Sequence, residues 1–328
     1  MYLAHFGLRE LPFSLTPDTS FFFACSSYQE ALNILLVAAR NGEGFIKIVG
    51  EVGNGKTLLC RKFLATLNKG ESATTTAIGT QDENAESLNL SARTSTKFVT
   101  AYIPNPYLEP RSLLLALACE FSVKLDKDVD QHQLLREITL ALLNFAREGK
   151  RVLVCLDEAQ AMPLESLEVL RLLTNIETEK RKLMQVVLFG QPELDQRLKQ
   201  HSVRQLRQRI SFQYNLQGLR RDELDRYLRH RLGVAGFSGE TLFSSAASAM
   251  LHRVSRGTPR LVNIVAHKAL LLGYGEGRQQ VLARHVRTAA ADTPEARRDW
   301  LVWGWGIAAL ALSLAGLAWM SLHWMAGQ

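Results

Sequence analysis

The sequence predicts an α/β fold. A three-layer parallel sheet carries helices on both faces, a small all-helical lid domain follows, and one transmembrane helix closes the chain. Three observations predict this. Short apolar runs alternate with helical stretches up to about residue 216. A glycine-rich string, GEVGNGKT, joins the first of those runs to a helix. From Trp300 to Gln328 there is no Asp, Glu, Lys or Arg.

The elements follow in chain order. Residues 27–40 place Ala31, Leu35 and Ala38 at helical spacing, with Leu32 and Ala39 alongside. FIKIVG is short, apolar and ends in glycine, the pattern of a buried strand. After GEVGNGKT, Leu59, Phe63 and Leu67 share one helical face. Residues 68–96 are rich in Ser, Thr, Asn and Gly and lack an apolar period, which predicts a long surface insertion. KFVTAYIPNP, RVLVCLDEAQ and LMQVVLFGQPEL are three further strands. Helices are expected near 110–122 and 131–148 and from Pro163 to about Glu177, where proline suits the first turn. Strands in regular alternation with helices give a parallel sheet. The arginines of VRQLRQRI suit a solvated helix face or a patch for an acidic partner. Beyond 216 the strands stop. Leu224, Tyr227, Leu228 and Leu232 make one helical face, and Leu242, Ala246, Met250 and Val254 suggest a second. Helices at 259–272 and 281–291 complete the lid. The expected domains are thus a preface (1–26), a nucleotide-binding domain (27–216), a helical lid (217–291), a polar linker (292–299) and a membrane span (300–325).

Bulk composition narrows the function less. Of 328 residues 47% are hydrophobic and 22% charged, which excludes a disordered chain. A net charge of +7 suits nucleotides, nucleic acid or lipid headgroups without choosing among them. Cys25, Cys60, Cys119 and Cys155 form no CxxC pair, so neither a zinc site nor a disulfide framework is expected. Cys60 and Cys155 lie in apolar elements and read as small core residues. The N-terminus has no basic region followed by an apolar core, so no signal peptide is expected.

GEVGNGKT carries the chemistry. Gly, four free positions, Gly, Lys and Ser or Thr occur by chance roughly once in a hundred chains of this length. A strand before it and a helix after it are the required setting. Gly50, Gly53 and Gly55 let the backbone curl so that successive N–H groups face an anion, with Glu51, Val52, Asn54 and Leu58 completing the loop. Lys56 brings a full charge to the β and γ phosphates of ATP, and Thr57 offers a hydroxyl to Mg²⁺. Hydrolysis needs more groups. Asp157 and Glu158 emerge at the end of RVLVCLDEAQ, where a parallel sheet presents its ligand crevice. Asp157 would hold magnesium, and Glu158 would act as general base on the attacking water. Gln191, just past another strand end, would reach γ-phosphate or that water. Arg260, at the start of a lid helix, would report the γ-phosphate. Of Arg204, Arg207 and Arg209, Arg209 is the favoured arginine to offer a neighbouring subunit, with Arg207 second.

The tail has the length and edges of a bilayer span. Some twenty uncharged residues at about 1.5 Å each cover about 30 Å. Trp300, Trp303 and Trp305 mark one interface, and Trp319 and Trp324 the other. Arg284, Arg287, Arg297 and Arg298 precede the span and no Lys or Arg follows it, which places the ATPase domain on the cytoplasmic side. Ala311 and Ala315 would allow close helix approach.

With these residues assembled, the sequence resembles AAA+ ATPases of the ExeA/GspA-type secretion family, nearest to its MSHA pilus biogenesis branch. HFGLRELPFSLTPD, GEVGNGKTLLCR, AYIPNP, LDEAQ, LLTNIET, GQPEL, LRQRI and GTPRLVN stand in that family's order and cover roughly residues 1–290. The resemblance implies ATP hydrolysis, ring-like homo-oligomers, Gln191 and Arg260 as first and second sensors, and Arg207 or Arg209 as the finger. It implies inner-membrane pilus or secretion assembly proteins as partners, with membrane lipid around the C-terminal helix. The 68–96 insertion is unusual for the family. The peptidoglycan-binding domain of longer relatives is not expected here. Two other functions fit less of the sequence: a DNA-associated AAA+ regulator of the transposition type, and a nucleotide-dependent scaffold with little turnover. Nucleic acid is an unlikely partner on this reading, because the apolar tail speaks against it and no added helix-turn-helix follows residue 290.

Overall fold

The computed structural model describes residues 2–15, 19–68, 97–125, 129–178, 181–296 and Ser313. It divides into two compact units, Ala24–Gln217 and Met1–Phe23 with Gly218–Gln328.

In the first unit, five parallel strands make one sheet: β1 (Phe45–Gly50), β2 (Phe98–Ile103), β3 (Arg151–Leu156), β4 (Met184–Gly190) and β5 (Ile210–Leu216), in the order β2-β3-β4-β1-β5. The three inner strands are buried almost throughout, because both of their faces are covered. On one face, Phe45, Val49, Val154, Leu156, Val186 and Leu188 meet Leu113, Leu117, Leu134, Ile138, Leu167 and Leu170 of helices Pro110–Glu120, Gln131–Arg147 and Leu164–Leu173. Helices Ser26–Asn41 and Lys56–Asn68 cover the other face. Sheet between two helix layers is the expected architecture. One polar side chain interrupts β1: Lys47 is buried and ion-paired with Asp195 of helix Glu193–Leu198.

Two details correct the expectations. ISFQYNL is a fifth strand, in a stretch to which the sequence reading assigns no element. Helix Arg204–Gln208 spans just five residues and β5 starts at Ile210. Burial along β5 alternates, with Ile210, Phe212 and Tyr214 half-buried and the residues between them exposed. That period of two marks an edge strand with one covered face. The helix expected from Pro163 to Glu177 ends at Leu173, and Glu177–Thr178 pairs antiparallel with Arg181–Lys182.

The second unit holds helices Arg221–Val234, Ser245–Ser255, Pro259–Gly275 and Ala283–Ala291. Leu224, Tyr227, Leu228 and Leu232 are all buried, as their spacing predicts. The next stripe is out of phase with its expectation. Ser244 caps the helix by accepting from the Ala247 N–H, and the buried face is Ala247, Leu251 and Ser255, while Ala246 is exposed. Leu242 belongs to the segment before the cap, so counting from it shifted the face. The preface packs on these helices: the Tyr2 hydroxyl meets His267 Nδ1 at 3.0 Å, and Arg231 donates to the Pro12 carbonyl at 2.5 Å. The polar segment from Asp292 is packed as well, with Lys268 bonded to Asp292 Oδ2 at 2.7 Å and Thr293 buried. Among the described residues no helix is long and apolar enough to cross a membrane. Apart from Ser313, the expected span at 300–325 lies outside the described residues, as do insertion residues 69–96.

Candidate functional site

Parallel pairing brings the candidate groups of the first unit to one sheet edge. Val49 is level with Gly190, Leu156 with Leu188, and Ile103 with Leu156. The loop after β1, Asp157 and Glu158 after β3, and Gln191 after β4 therefore leave the sheet side by side, at the C-terminal edge where ligands bind.

The loop is fixed by its backbone. Gly53 and Gly55 adopt φ of 85° and 79°, a region that disfavours side chains. Gly50 does not. It ends β1, and its constraint is space, with Leu216 O 3.1 Å from where a Cβ would stand. Tyr28, from helix Ser26–Asn41, donates its hydroxyl to Asn54 O at 3.0 Å and Gly55 O at 2.6 Å. Asn54 donates its own amide to Leu216 O at 3.0 Å. Lys56 begins helix Lys56–Asn68, is buried, and donates to Gly50 O at 2.7 Å and Glu51 O at 3.0 Å. Burial lowers its pKa, and Glu158, Asp157 and Glu51 oppose that shift. Glu51 and Val52 are exposed at the loop tip, and Leu58 is half-buried in the first helical turn.

Asp157 is buried against the loop. Its Oδ2 accepts from the Thr57 hydroxyl at 2.6 Å and from Tyr102 at 3.3 Å, and Oδ1 accepts from the Glu158 N–H at 3.1 Å. Burial raises the carboxyl pKa, while the Thr57 bond pulls the other way. Tyr102, at the end of β2, is itself pushed up to about 12, by burial first and then by the Asp157 charge. Among the described residues no three His, Cys, Asp or Glu converge to hold a metal on their own. Thr57 Oγ1 and Asp157 Oδ2 are nonetheless hard oxygen donors at one point, which suits Mg²⁺ shared with phosphate oxygens.

Glu158 adopts a left-handed φ of 54°, uncommon for a residue with a Cβ. Its Oε2 accepts from Gln160 at 2.6 Å and from Gln191 at 2.8 Å. The sequence pointed to Glu158 and Gln191 separately, and the structure joins them. It adds three residues that sequence reasoning missed. Gln160 stands inside the LDEAQ string. Tyr102 is a polar residue at the same strand end as AYIPNP. Tyr28 left no local signal.

The arginines lie elsewhere. Phe45 pairs with Ile210, so Arg209 adjoins the start of β1, at the sheet edge opposite the loop. Arg209 is half-buried there and Arg207 exposed. Arg260 is exposed in the first turn of helix Pro259–Gly275, in the second unit.

Residues 39–198 match the family model described as AAA domain. Over that stretch the chain is similar to AAA-type ATPases. It is 38% identical over 328 residues to General secretion pathway protein A of Aeromonas hydrophila, covering 100% of this chain and 54% of that protein. The chain therefore spans about half the length of the curated relative it matches. The structure of CDC6P from Pyrobaculum aerophilum is similar at a TM-score of 0.58 and 15% identity, over 86% of this chain and 70% of that one. The ORC2 protein of Aeropyrum pernix, in its ADPNP-ADP complexes, gives 0.53 and 18%, over 81% and 67%. The RuvB Holliday junction branch migration motor of Thermotoga maritima gives 0.50 and 14%, over 82% and 70%. At these identities the solved structures show a shared fold and nothing more.

Proposed function

We propose that this ATPase is anchored in the bacterial inner membrane by residues 300–325, with its ATPase domain in the cytoplasm, and drives assembly of an envelope apparatus. The apparatus would be a type IV pilus of the MSHA kind, with MshM as a functional counterpart, or a type II secretion-like system. The observation that carries this reading is 38% identity to a general secretion pathway protein along the whole of this chain. The uncharged, tryptophan-edged tail supports the anchor.

In the proposed cycle the 50–57 loop wraps the phosphates. Lys56 exchanges its bonds to Gly50 O and Glu51 O for phosphate oxygens, which a buried ammonium short of solvent favours. Thr57 and Asp157 would hold Mg²⁺, which when bound neutralises charge on the β and γ phosphates. Glu158 accepts the proton of the attacking water, and Gln191 orients that water and senses γ-phosphate. Arg209, with Arg207 second, is presented to the neighbouring subunit of a ring, which fits their place at the edge away from their own loop. Arg260 acts as second sensor.

The test is affinity capture from membranes of a Glu158→Gln form trapped with ATP. Recovery of pilus or secretion components is the expected result. Recovery of DNA and recombinases, or full solubility of the intact chain, would overturn the reading.

A further inference from the structure

We propose that Gln160 is a positioning residue that clamps Glu158 to Gln191, a role that rests on Glu158 being the general base. The sequence gives Gln160 no function. The structure shows its amide engaged at both ends. Nε2 donates to Glu158 Oε2 at 2.6 Å, and Oε1 accepts from the Gln191 backbone N–H at 3.0 Å. Gln191 closes the triangle by donating its side-chain amide to the same Glu158 oxygen at 2.8 Å. Two segments thirty residues apart thus meet on one carboxylate oxygen.

The backbone beneath Gln160 is anchored too. The turn Ala159–Ala161 is held by Ala161 N–H to Glu158 O at 2.9 Å and Met162 N–H to Ala159 O at 3.2 Å. Arg197, on the helix that follows Gln191, donates to Gln160 O at 2.5 Å and Met162 O at 2.6 Å. Gln160 therefore projects from a fixed base. A glutamate side chain has three rotatable bonds, and on a left-handed backbone position its direction is not set by its own helix or strand. Two amide donors on one oxygen set it instead. A base displaced by about 1 Å forfeits on the order of 10²-fold in rate. The hydrogen bonds of the Gln160 side chain run to Glu158 and Gln191, whereas those that shape the phosphate loop come from Tyr28, Asn54 and Lys56. Gln160 acts on the chemical step and leaves nucleotide binding alone.

Two variants of the full chain separate this from a merely structural tie. Gln160→Met keeps the length and removes both bonds. Gln160→Glu keeps an acceptor for the Gln191 N–H but presents a carboxylate, not a donor, to Glu158. Both should lower kcat at least tenfold, with KM for ATP and affinity for ADP within about twofold of wild type. In a Gln191→Ala background, Gln160→Met should cost much less than it does alone, because the two amides share one oxygen. A kcat within twofold of wild type in both variants overturns the proposal, and so does a fall in ADP affinity parallel to kcat. Glu158→Gln run beside them tells the two failures apart. If it turns over like wild type, the base assignment itself is wrong. If it is inactive while the Gln160 variants are normal, only the clamp is.

Discussion

The phosphate loop and the cluster at the ends of β3 and β4 do related work by opposite means. The loop is shaped by its own backbone, eight consecutive residues with two glycines at positive φ and with the Asn54 and Gly55 carbonyls tied from behind by Tyr28. The cluster is shaped by side chains. Glu158, Gln160 and Gln191 lie on two segments and hold one another through hydrogen bonds from amide groups. The loop ought therefore to fail in binding, and the cluster ought to fail in turnover with binding intact.

Lys56→Ala should break the loop side most completely. It removes the ammonium that faces the phosphates, and charged hydrogen bonds of about 1.5–3 kcal/mol each are lost. ATP affinity should fall about 10²-fold or more by calorimetry or fluorescent-nucleotide titration, and turnover with it. Unchanged affinity would mean that the loop does not grip phosphate through this residue. Glu158→Gln should break the cluster side instead, lowering kcat by about 10²–10⁴-fold while ATP still binds. Equal losses of affinity in the two variants would erase the contrast.

Gly55→Ala sharpens the comparison, because it strikes the loop through geometry alone. Its Cβ would stand 1.7 Å from the Tyr28 hydroxyl, on a residue at φ 79°. The strain should cost on the order of 1–3 kcal/mol, read as a lower Tm and weaker ADP binding. Adding Tyr28→Phe removes the clashing oxygen but leaves the ring carbon at 2.9 Å, so rescue should be partial. If Gly55→Ala alone behaves as wild type, the loop is not held as described.

The same contrast explains what the sequence disclosed. The loop was legible because all its information is consecutive: glycines, lysine and threonine at fixed spacing between a strand and a helix. Asp157 and Glu158 were legible because a buried run that ends in acids is rare. Gln160 was in plain view but had no visible partner, since its contacts with Gln191 exist only once β3 and β4 lie side by side. Tyr28 and Tyr102 were invisible for the same reason. The inner strands were readable as apolar runs. β5 is a half-exposed edge strand without a continuous apolar run, and its only signal is the alternation of Ile210, Phe212, Tyr214 and Leu216. The helical stripe from Leu242 failed by phase, and the Ser244 cap three residues before Ala247 was the signal that corrects it.

Asp157 joins the two regions, and it carries an electrostatic cost. Burial raises its folded pKa above the ordinary carboxylate value. An acid shifted that way binds protons more tightly folded than unfolded, so its contribution to stability falls as pH rises from the unfolded value through the folded one. Near neutral pH the nucleotide-free protein holds an unfavourable buried charge. Asp157→Asn should therefore raise Tm of the nucleotide-free protein at pH 7 by on the order of a few degrees, and the gain should vanish at a pH below the usual carboxylate range. Turnover should be lost in the same variant. A lower Tm at pH 7 would show that the Thr57 and Tyr102 bonds outweigh desolvation.

The smallest expected effect is that of Tyr102→Phe, which tests how finely Asp157 is tuned. The hydroxyl reaches Asp157 Oδ2 at 3.3 Å, a long bond beside the 2.6 Å one from Thr57. Its contribution lowers the Asp157 pKa but ranks below burial, the Thr57 bond and the charge of Glu158. Without it the carboxylate loses a donor and the shift above the ordinary value grows, so the acid limb of the pH–rate profile should move to higher pH. Around pH 7 the cost in kcat should be only a few-fold, about what one weak bond to a charged group contributes. The concentration of Mg²⁺ giving half-maximal turnover should rise with it, because a carboxylate that is harder to ionise is a poorer cation ligand. ADP affinity measured without Mg²⁺ should stay put, since Tyr102 bonds to Asp157 while the loop carbonyls are held by Tyr28 and Lys56. An acid limb that does not move, or moves to lower pH, would show that the hydroxyl does not favour the charged carboxylate.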